Sequence, residues 1–353
     1  MRKPSMRIAS FLAGLSGLLA GLVGLEAMTP FVDPFTPSNA PTVVDLDYLS
    51  PFALNRLKSN HVAGQPRFDV GIFSDSRSEP VGNTLTKGLG LSFFSFSISG
   101  EGFRSSVSRL ERLADSGKAP RLALVQLANF ESQEFNLGAS LTLSQRLRDA
   151  WRDLAVAARH PDLTRATWVA MAKQYAMREG HLIRHLFDAS RLKIIISRLL
   201  VAPPKIKESV DGPEFGMRPD GSRRALHRTL PEPPLLPRQS EHVIPFYLRT
   251  DLERLRDLGA RGIKVIVYEI PLARNSRNFY AAQPSAHAQA HRALFLRVCA
   301  ELELACLPQP ADVALDDANW PDPEHMPERP LTAYLRGILE AHPQLIAAGR
   351  GQP

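Results

Sequence analysis

Cysteine is scarce in this sequence, with two among 353 residues, so zinc ribbons and C-x-x-C redox sites are excluded. No dense basic run with interleaved aromatics is present, and the net charge of +7 therefore does not by itself predict nucleic-acid binding. Only nine of the 43 basic residues are lysine, an arginine excess that often reflects GC-rich coding. With 44% hydrophobic and 22% charged residues, the chain is neither collagen-like, nor wholly disordered, nor a multi-span membrane protein. One folded body must account for most of it.

Long hydrophobic runs are also rare, and the exception lies at the N-terminus. Arg2, Lys3 and Arg7 precede an uncharged stretch over residues 8–25, which is just long enough to span a bilayer. The basic flank predicts a cytoplasmic N-terminus, so residues 1–28 are expected to anchor an extracytoplasmic, periplasmic domain. A cleaved signal peptide is the alternative, but Leu25 and Ala27 make a poor small-x-small cleavage site.

Cys299 and Cys306 are seven positions apart, late in a predicted helix and on the following predicted strand. Outside the cytoplasm they can form a disulfide. Two separate buried thiols fit the same placement, and the sequence does not decide between them.

The remaining chain alternates strand and helix patterns. Residues 29–66 contain six prolines among polar residues and predict an extended tether. Apolar runs predict strands, and 3.6-residue periodicity predicts helices between them. The predicted strands are 68–73, 91–98, 122–128, 263–270 and 304–307, and the predicted helices are 103–116, 248–258 and 289–302. This alternation predicts a three-layer α/β/α domain with a parallel sheet of about five strands.

The alternation is interrupted by residues 141–240. Their first part is predicted to be helical and their second part is rich in proline and glycine. We therefore expect one domain, formed by residues 67–140 and 241–353, with a helical and proline-rich insertion between its third and fourth strands.

Parallel sheets bind ligands at the carboxyl ends of their strands, so the loops after the strands are where chemistry is expected. Ser76 follows the first strand and is a candidate nucleophile. His325 is a candidate base, with Asp322 three positions earlier to orient it. Backbone N–H groups at Ser76 and Gly100 and the amide of Asn129 are candidates for an oxyanion hole.

The segments that contain these residues resemble the sequence blocks of the SGNH, or GDSL-like, hydrolase superfamily. Ser74-Asp75-Ser76 matches the first block with Ser in place of Gly, Gly100 or else Gly102 matches the second, Asn129 the third and Asp322-Pro-Glu-His325 the last. The third block departs most, because Leu127 and Phe130 stand where the family has Gly and Asp.

The resemblance implies an SGNH/flavodoxin-like fold and a Ser76, His325 and Asp322 triad that needs no cofactor and no metal. The Ser76-Arg77 pair, the N-terminal segment and the insertion with Asp220-Gly221 are similar to the membrane-anchored branch related to alginate O-acetyltransferases and the teichoic-acid D-alanyl-transfer protein. That similarity implies an acyltransferase or esterase acting on O-acyl, most often acetyl, groups. Its partners would be a carbohydrate polymer, an acyl donor and membrane components of a polysaccharide system.

Each signal also has a structural interpretation. Ser-Asp-Ser after a strand is a common helix cap, and Asp322 can cap a helix that starts at Pro323. A catalytically silent SGNH-like assembly component of a polysaccharide export system is the alternative function, and a secreted lipase or esterase is a third. The pairs His181 with His185 and His287 with His291 have metal-site spacing, but neither has an evident third ligand.

Overall fold

The structure is a computed structural model, and it describes part of the chain. The described residues are 51–98, 101–127, 143–159, 163–186, 218, 220–222, 244–272, 278, 282, 286–309 and 325–344. Within these ranges lie seven α-helices and five strands. In chain order they are α1 (Pro51–Ala63), β1 (Val70–Phe73), β2 (Phe93–Ser95), α2 (Phe103–Asp115), β3 (Leu122–Leu127), α3 (Leu143–Ala157), α4 (Arg165–Leu186), α5 (Ile244–Gly259), β4 (Lys264–Glu269), α6 (Ala286–Glu301), β5 (Ala305–Leu307) and α7 (Glu328–Ala341).

The five strands form one parallel sheet in the order β2-β1-β3-β4-β5. This confirms the predicted α/β class and the predicted strand number. The order is a doubly wound one in which the chain moves outward in opposite directions from β1 and β3. The central strands are short and rich in Val, Ile and Leu, as expected where both faces of a sheet are covered.

Helices pack on both faces of the sheet. On one face, Val125 and Val267 of the strands pack with Leu110 of α2, Leu252 of α5 and Phe295 of α6. On the other face the core consists of alternate strand residues and of α7, whose inward side chains follow a helical repeat: Ile72, Leu124, Ile266, Leu331, Leu335 and Leu339. Strand residues thus alternate between two cores because successive side chains point to opposite faces.

One boundary differs from the sequence prediction. Residues 51–63 were predicted within the extended tether, but they form α1, whose Leu54 and Val62 are buried against the domain. The tether prediction is wrong for these residues because proline is favoured in the first turn of a helix, where its missing N–H needs no partner. The remainder of the predicted tether, residues 29–50, lies outside the described residues.

The predicted insertion contributes a turn to the sheet domain. The backbone N–H of Ser95 at the end of β2 donates to the carbonyl of Asp220 at 2.8 Å. Asp220 also accepts from the backbone N–H of Asn83, and Arg218 pairs with Glu328 at the start of α7. The turn therefore covers the outer edge of β2, which an open sheet would leave unpaired.

Cys299 on α6 and Cys306 on β5 form a disulfide. Of the two arrangements that the sequence left open, the structure therefore has the bridge. In the part of the chain that the structure describes, no helix is long and apolar enough to cross a bilayer, and the predicted anchor at residues 1–28 lies outside that part.

Candidate active site

The candidate site lies at the carboxyl edge of the sheet, beside the point where the strand order reverses. β1 pairs with β2 on one side and with β3 on the other, so the chain leaves β1 between two neighbouring strands. The segment after β1 enters a short 3₁₀ turn over Ser76–Ser78. Crevices of this kind are where open parallel sheets bind their ligands.

Asp75 fixes the turn that carries Ser76. Its carboxylate accepts from the backbone N–H of Arg77 at 2.9 Å and from the guanidinium of Arg77 at 2.6 Å. A third donor is the side-chain amide of Gln126, on β3, at 2.9 Å. Because Asp75 is held by both its own turn and the adjacent strand, the backbone beside Ser76 has little freedom to move.

Ser76 and His325 are 249 positions apart in the chain, and the fold brings them into contact. The hydroxyl oxygen Oγ of Ser76 lies 2.8 Å from Nε2 of His325. This is within the 2.6 to 3.2 Å that links a nucleophile to its base. Both side chains are half-buried, so the pair is open to solvent on one side.

His325 is positioned by the start of α7. The next residue, Met326, is buried in the core beneath the sheet, and Pro327 is the cap of the helix. Glu328 then pairs with Arg218 from the docked turn. The backbone of His325 thus enters a helix that is anchored on both its apolar and its polar side.

The two serines on either side of Ser76 are engaged elsewhere. Ser74 is buried and its hydroxyl contacts Ser97 and the carbonyl of Asp75. Ser78 is fully buried and donates to Gln126, with the hydroxyl of Tyr268 at 3.0 Å. Ser76 is therefore the serine of this block whose hydroxyl meets a histidine.

A buried hydrogen-bonded chain supports the turn from below. It runs from Asp75 through Gln126 and Ser78 to Tyr268 on β4. Burial raises the pKa of Tyr268, so this phenol stays neutral and keeps its proton for hydrogen bonding. Sequence reasoning missed Gln126 and Tyr268, because polar residues within apolar strand runs carry no periodic signal.

Two buried cations cap the strand ends beside the site. Lys58 of α1 donates to the carbonyls of Ser95 and Ser97. Arg109 of α2 donates to the carbonyls of Phe96 and Ser74 at 2.8 and 3.3 Å. Burial lowers the pKa of Arg109 to about 10, so it remains charged at neutral pH. These side-chain donors supply hydrogen bonds to backbone carbonyls at the ends of β1 and β2, where the regular pairing of the strands stops.

The other predicted site residues lie outside the described residues. These are Asp322, Gly100 and Asn129; the less favoured Gly102 is described and stands at the N-cap of α2. Of the two histidine pairs, His291 is buried on α6. In the part of the chain that the structure describes, no group of three or more His, Cys, Asp or Glu residues is placed to hold a metal ion.

Comparison with protein-family models, curated proteins and solved structures finds no match for this chain. With its proton on Nδ1, His325 accepts the Ser76 proton at Nε2, and the hydroxyl becomes nucleophilic as the proton leaves. This arrangement suits attack on an electrophilic carbonyl and return of the proton to the leaving group.

Proposed function

We propose that this protein is a membrane-tethered, extracytoplasmic serine acyltransferase or esterase. It acts on the O-acyl groups, chiefly acetyl groups, of a carbohydrate polymer. The observation that supports it is the 2.8 Å contact between Ser76 Oγ and His325 Nε2 at the carboxyl edge of the sheet. The proposal also includes an SGNH-like fold for the domain, a membrane helix at residues 1–28 and an insertion over residues 141–240. The Cys299–Cys306 disulfide favours an oxidising compartment.

In the proposed mechanism, His325 removes the proton of Ser76 as Oγ attacks the acyl carbonyl carbon. The tetrahedral intermediate collapses when His325 returns that proton to the leaving alkoxide, and an acyl-serine remains. Water or a sugar hydroxyl then attacks the acyl-serine with His325 as the base, the bond between the acyl carbon and Oγ breaks, and His325 returns the proton to Ser76 Oγ. Asp322 would orient the imidazole, and backbone N–H groups near Ser76 and Gly100, with Asn129, would hold the oxyanion.

The test measures hydrolysis of a small acetyl ester by the full chain, together with labelling by a fluorophosphonate that is mapped by peptide mass spectrometry. Ser76→Ala and His325→Ala should each lower turnover by up to about a millionfold, and the double variant should lose no more, because the two groups act as a unit. The label should map to Ser76. The matched controls are Ser92→Ala, just before the amino end of β2 and so away from the carboxyl edge of the sheet, and His342→Ala, at the end of α7. Both variants should retain wild-type turnover.

Wild-type turnover in Ser76→Ala would eliminate the mechanism. Absence of labelling and turnover in the wild-type chain, combined with loss of the polymer when the gene is deleted, would favour the non-catalytic assembly component instead.

A further inference from the structure

A cavity lies away from Ser76 and His325, between α1 and α2. Its volume is about 370 Å³, within the range of sites for small molecules. α1 contributes Lys58 and Ala63 to its wall, and α2 contributes Arg109, Arg112 and Leu113. Neither Ser76 nor His325 belongs to the lining, so this cavity is separate from the candidate active site.

The polar part of the wall is cationic. Lys58, Arg109, Arg112 and Lys118 all line the cavity, and none of the lining residues that the structure describes carries a carboxylate. Asp149 and Glu101 raise the pKa of Arg112, but burial outweighs them and lowers it to about 10. Arg109 and Arg112 are therefore both charged at neutral pH, and the cavity attracts anions.

Two of these cations retain unused hydrogen-bond donors. Arg109 is buried, with 3% of its surface exposed, and its two terminal nitrogens bind carbonyl and hydroxyl oxygens. Among the residues that the structure describes, Nε of Arg109 and both Nε and Nη2 of Arg112 have no hydrogen-bond partner. Unpartnered buried donors are costly, and an oxyanion is a group that would accept hydrogen bonds from them. The Nε and Nη2 pair of one guanidinium matches the two oxygens of a carboxylate.

The rest of the wall is apolar. Phe96 and Ile98, which follow β2, face the cavity together with Ala63 and Leu113. A fully hydrated inorganic ion would leave these side chains without contact. A molecule with an anionic head and a short hydrocarbon body satisfies both parts of the wall at once.

We propose that this cavity binds a small monocarboxylate with an aliphatic body, and that Arg112, with Arg109, receives its carboxylate group. The inference does not rest on the proposed function, because it concerns binding at residues that take no part in the mechanism.

The test is isothermal titration calorimetry of the full chain with hexanoate, in a non-ionic detergent kept at constant concentration. Hexanoate should bind saturably at one site. Arg112→Gln removes the charge and one of the two free edge donors, and it should weaken binding about tenfold or more. Arg112→Lys keeps the charge but lacks the paired guanidinium donors, so we expect an affinity between those of the wild type and Arg112→Gln. Arg256→Gln, an exposed position on α5, is the matched control and should bind as the wild type does.

The probes distinguish the chemical classes. Hexanol, which has the same body without the charge, and inorganic phosphate, which has charge without a body, should each bind more weakly than hexanoate. Ala63→Phe adds bulk to the cavity wall without altering any charge, and it should also weaken hexanoate binding. The proposal is overturned if wild-type protein binds no hexanoate, if hexanol or phosphate binds as tightly, or if Arg112→Gln binds hexanoate with unchanged affinity. Turnover at Ser76 is a separate measurement and decides none of these outcomes.

Discussion

At the scale of single residues, the candidate site depends on polar groups inside the sheet. Gln126 is 3% exposed on β3, yet its amide donates to Asp75 while its carbonyl oxygen accepts from Ser78. Burying an amide is favourable only when such partners are present. Gln126 is thus a positioning residue that connects the turn carrying Ser76 to the central strands.

Replacement of Gln126 by Leu should test this role. The change keeps the volume but removes one partner each from Asp75 and Ser78, so we expect a loss of about 1 to 3 kcal/mol in the free energy of unfolding. The loosened turn should also lower kcat about tenfold to a hundredfold, with KM for a small ester little changed. Urea denaturation and steady-state kinetics measure the two effects.

Tyr268→Phe is the control for that variant. It removes a hydroxyl at the far end of the buried hydrogen-bonded chain that runs from Asp75 to Tyr268. It should cost about 1 kcal/mol in stability with little change in kcat. Equal losses of kcat in the two variants would mean that Gln126 acts only through general stability.

At the scale of elements, the outer edge of the sheet is closed by a turn from the insertion. Gly221 allows the close approach, because its φ is +76° and a Cβ there would lie 2.4 Å from the carbonyl oxygen of Ser95. That oxygen is backbone and is also held by Lys58, so it cannot move aside easily. The turn, β2 and α1 are therefore mutually dependent.

A matched pair of glycine substitutions isolates the contact. Gly117 also has a positive φ, +69°, but a Cβ there meets nothing within 4 Å. Gly117→Ala should cost about 1 kcal/mol for the left-handed backbone alone. Gly221→Ala should cost about 1 to 3 kcal/mol more, because of overpacking against β2. Equal unfolding free energies in urea for the two variants would contradict the docking of the turn.

At the scale of the whole molecule, buried ion pairs connect the insertion to the sheet domain. Arg104 of α2 contacts Asp153 of α3 and Asp251 of α5, and its guanidinium lies 4.2 Å from the ring centre of Tyr247. Nearby, burial raises the pKa of Glu111, but hydrogen bonds and attraction from Arg254 and Arg152 outweigh burial and hold the pKa below its ordinary value. Such networks contribute little net stability relative to apolar packing, but removing one partner is costly. They therefore favour one arrangement of these helices over alternative packings.

The disulfide should contribute stability through the unfolded chain. It closes a short loop between α6 and β5, with a sequence separation of 7, and the loop-entropy relation gives about 2.5 kcal/mol. Dithiothreitol should lower the wild-type free energy of unfolding by about this amount, as measured in urea. The Cys299→Ala and Cys306→Ala double variant should start at the lower value and be insensitive to the reductant. Identical wild-type values with and without reductant would show that the bridge adds no stability.

The sequence by itself determined the α/β class and most element positions, because hydrophobic periodicity is a local property of the chain. The predicted strand at 122–128, for example, differs from β3 only at its last residue. The motif also indicated Ser76 and His325, since Ser76 follows the first predicted strand and His325 ends the Asp-x-x-His block after the last predicted strand. Tertiary structure alone decided their 2.8 Å contact, the helix at 51–63, the disulfide, and the roles of Lys58, Arg109 and Gln126. These features depend on partners that are distant in the chain. A buried polar side chain and an exposed one look the same in sequence until the fold supplies the groups to which they bind.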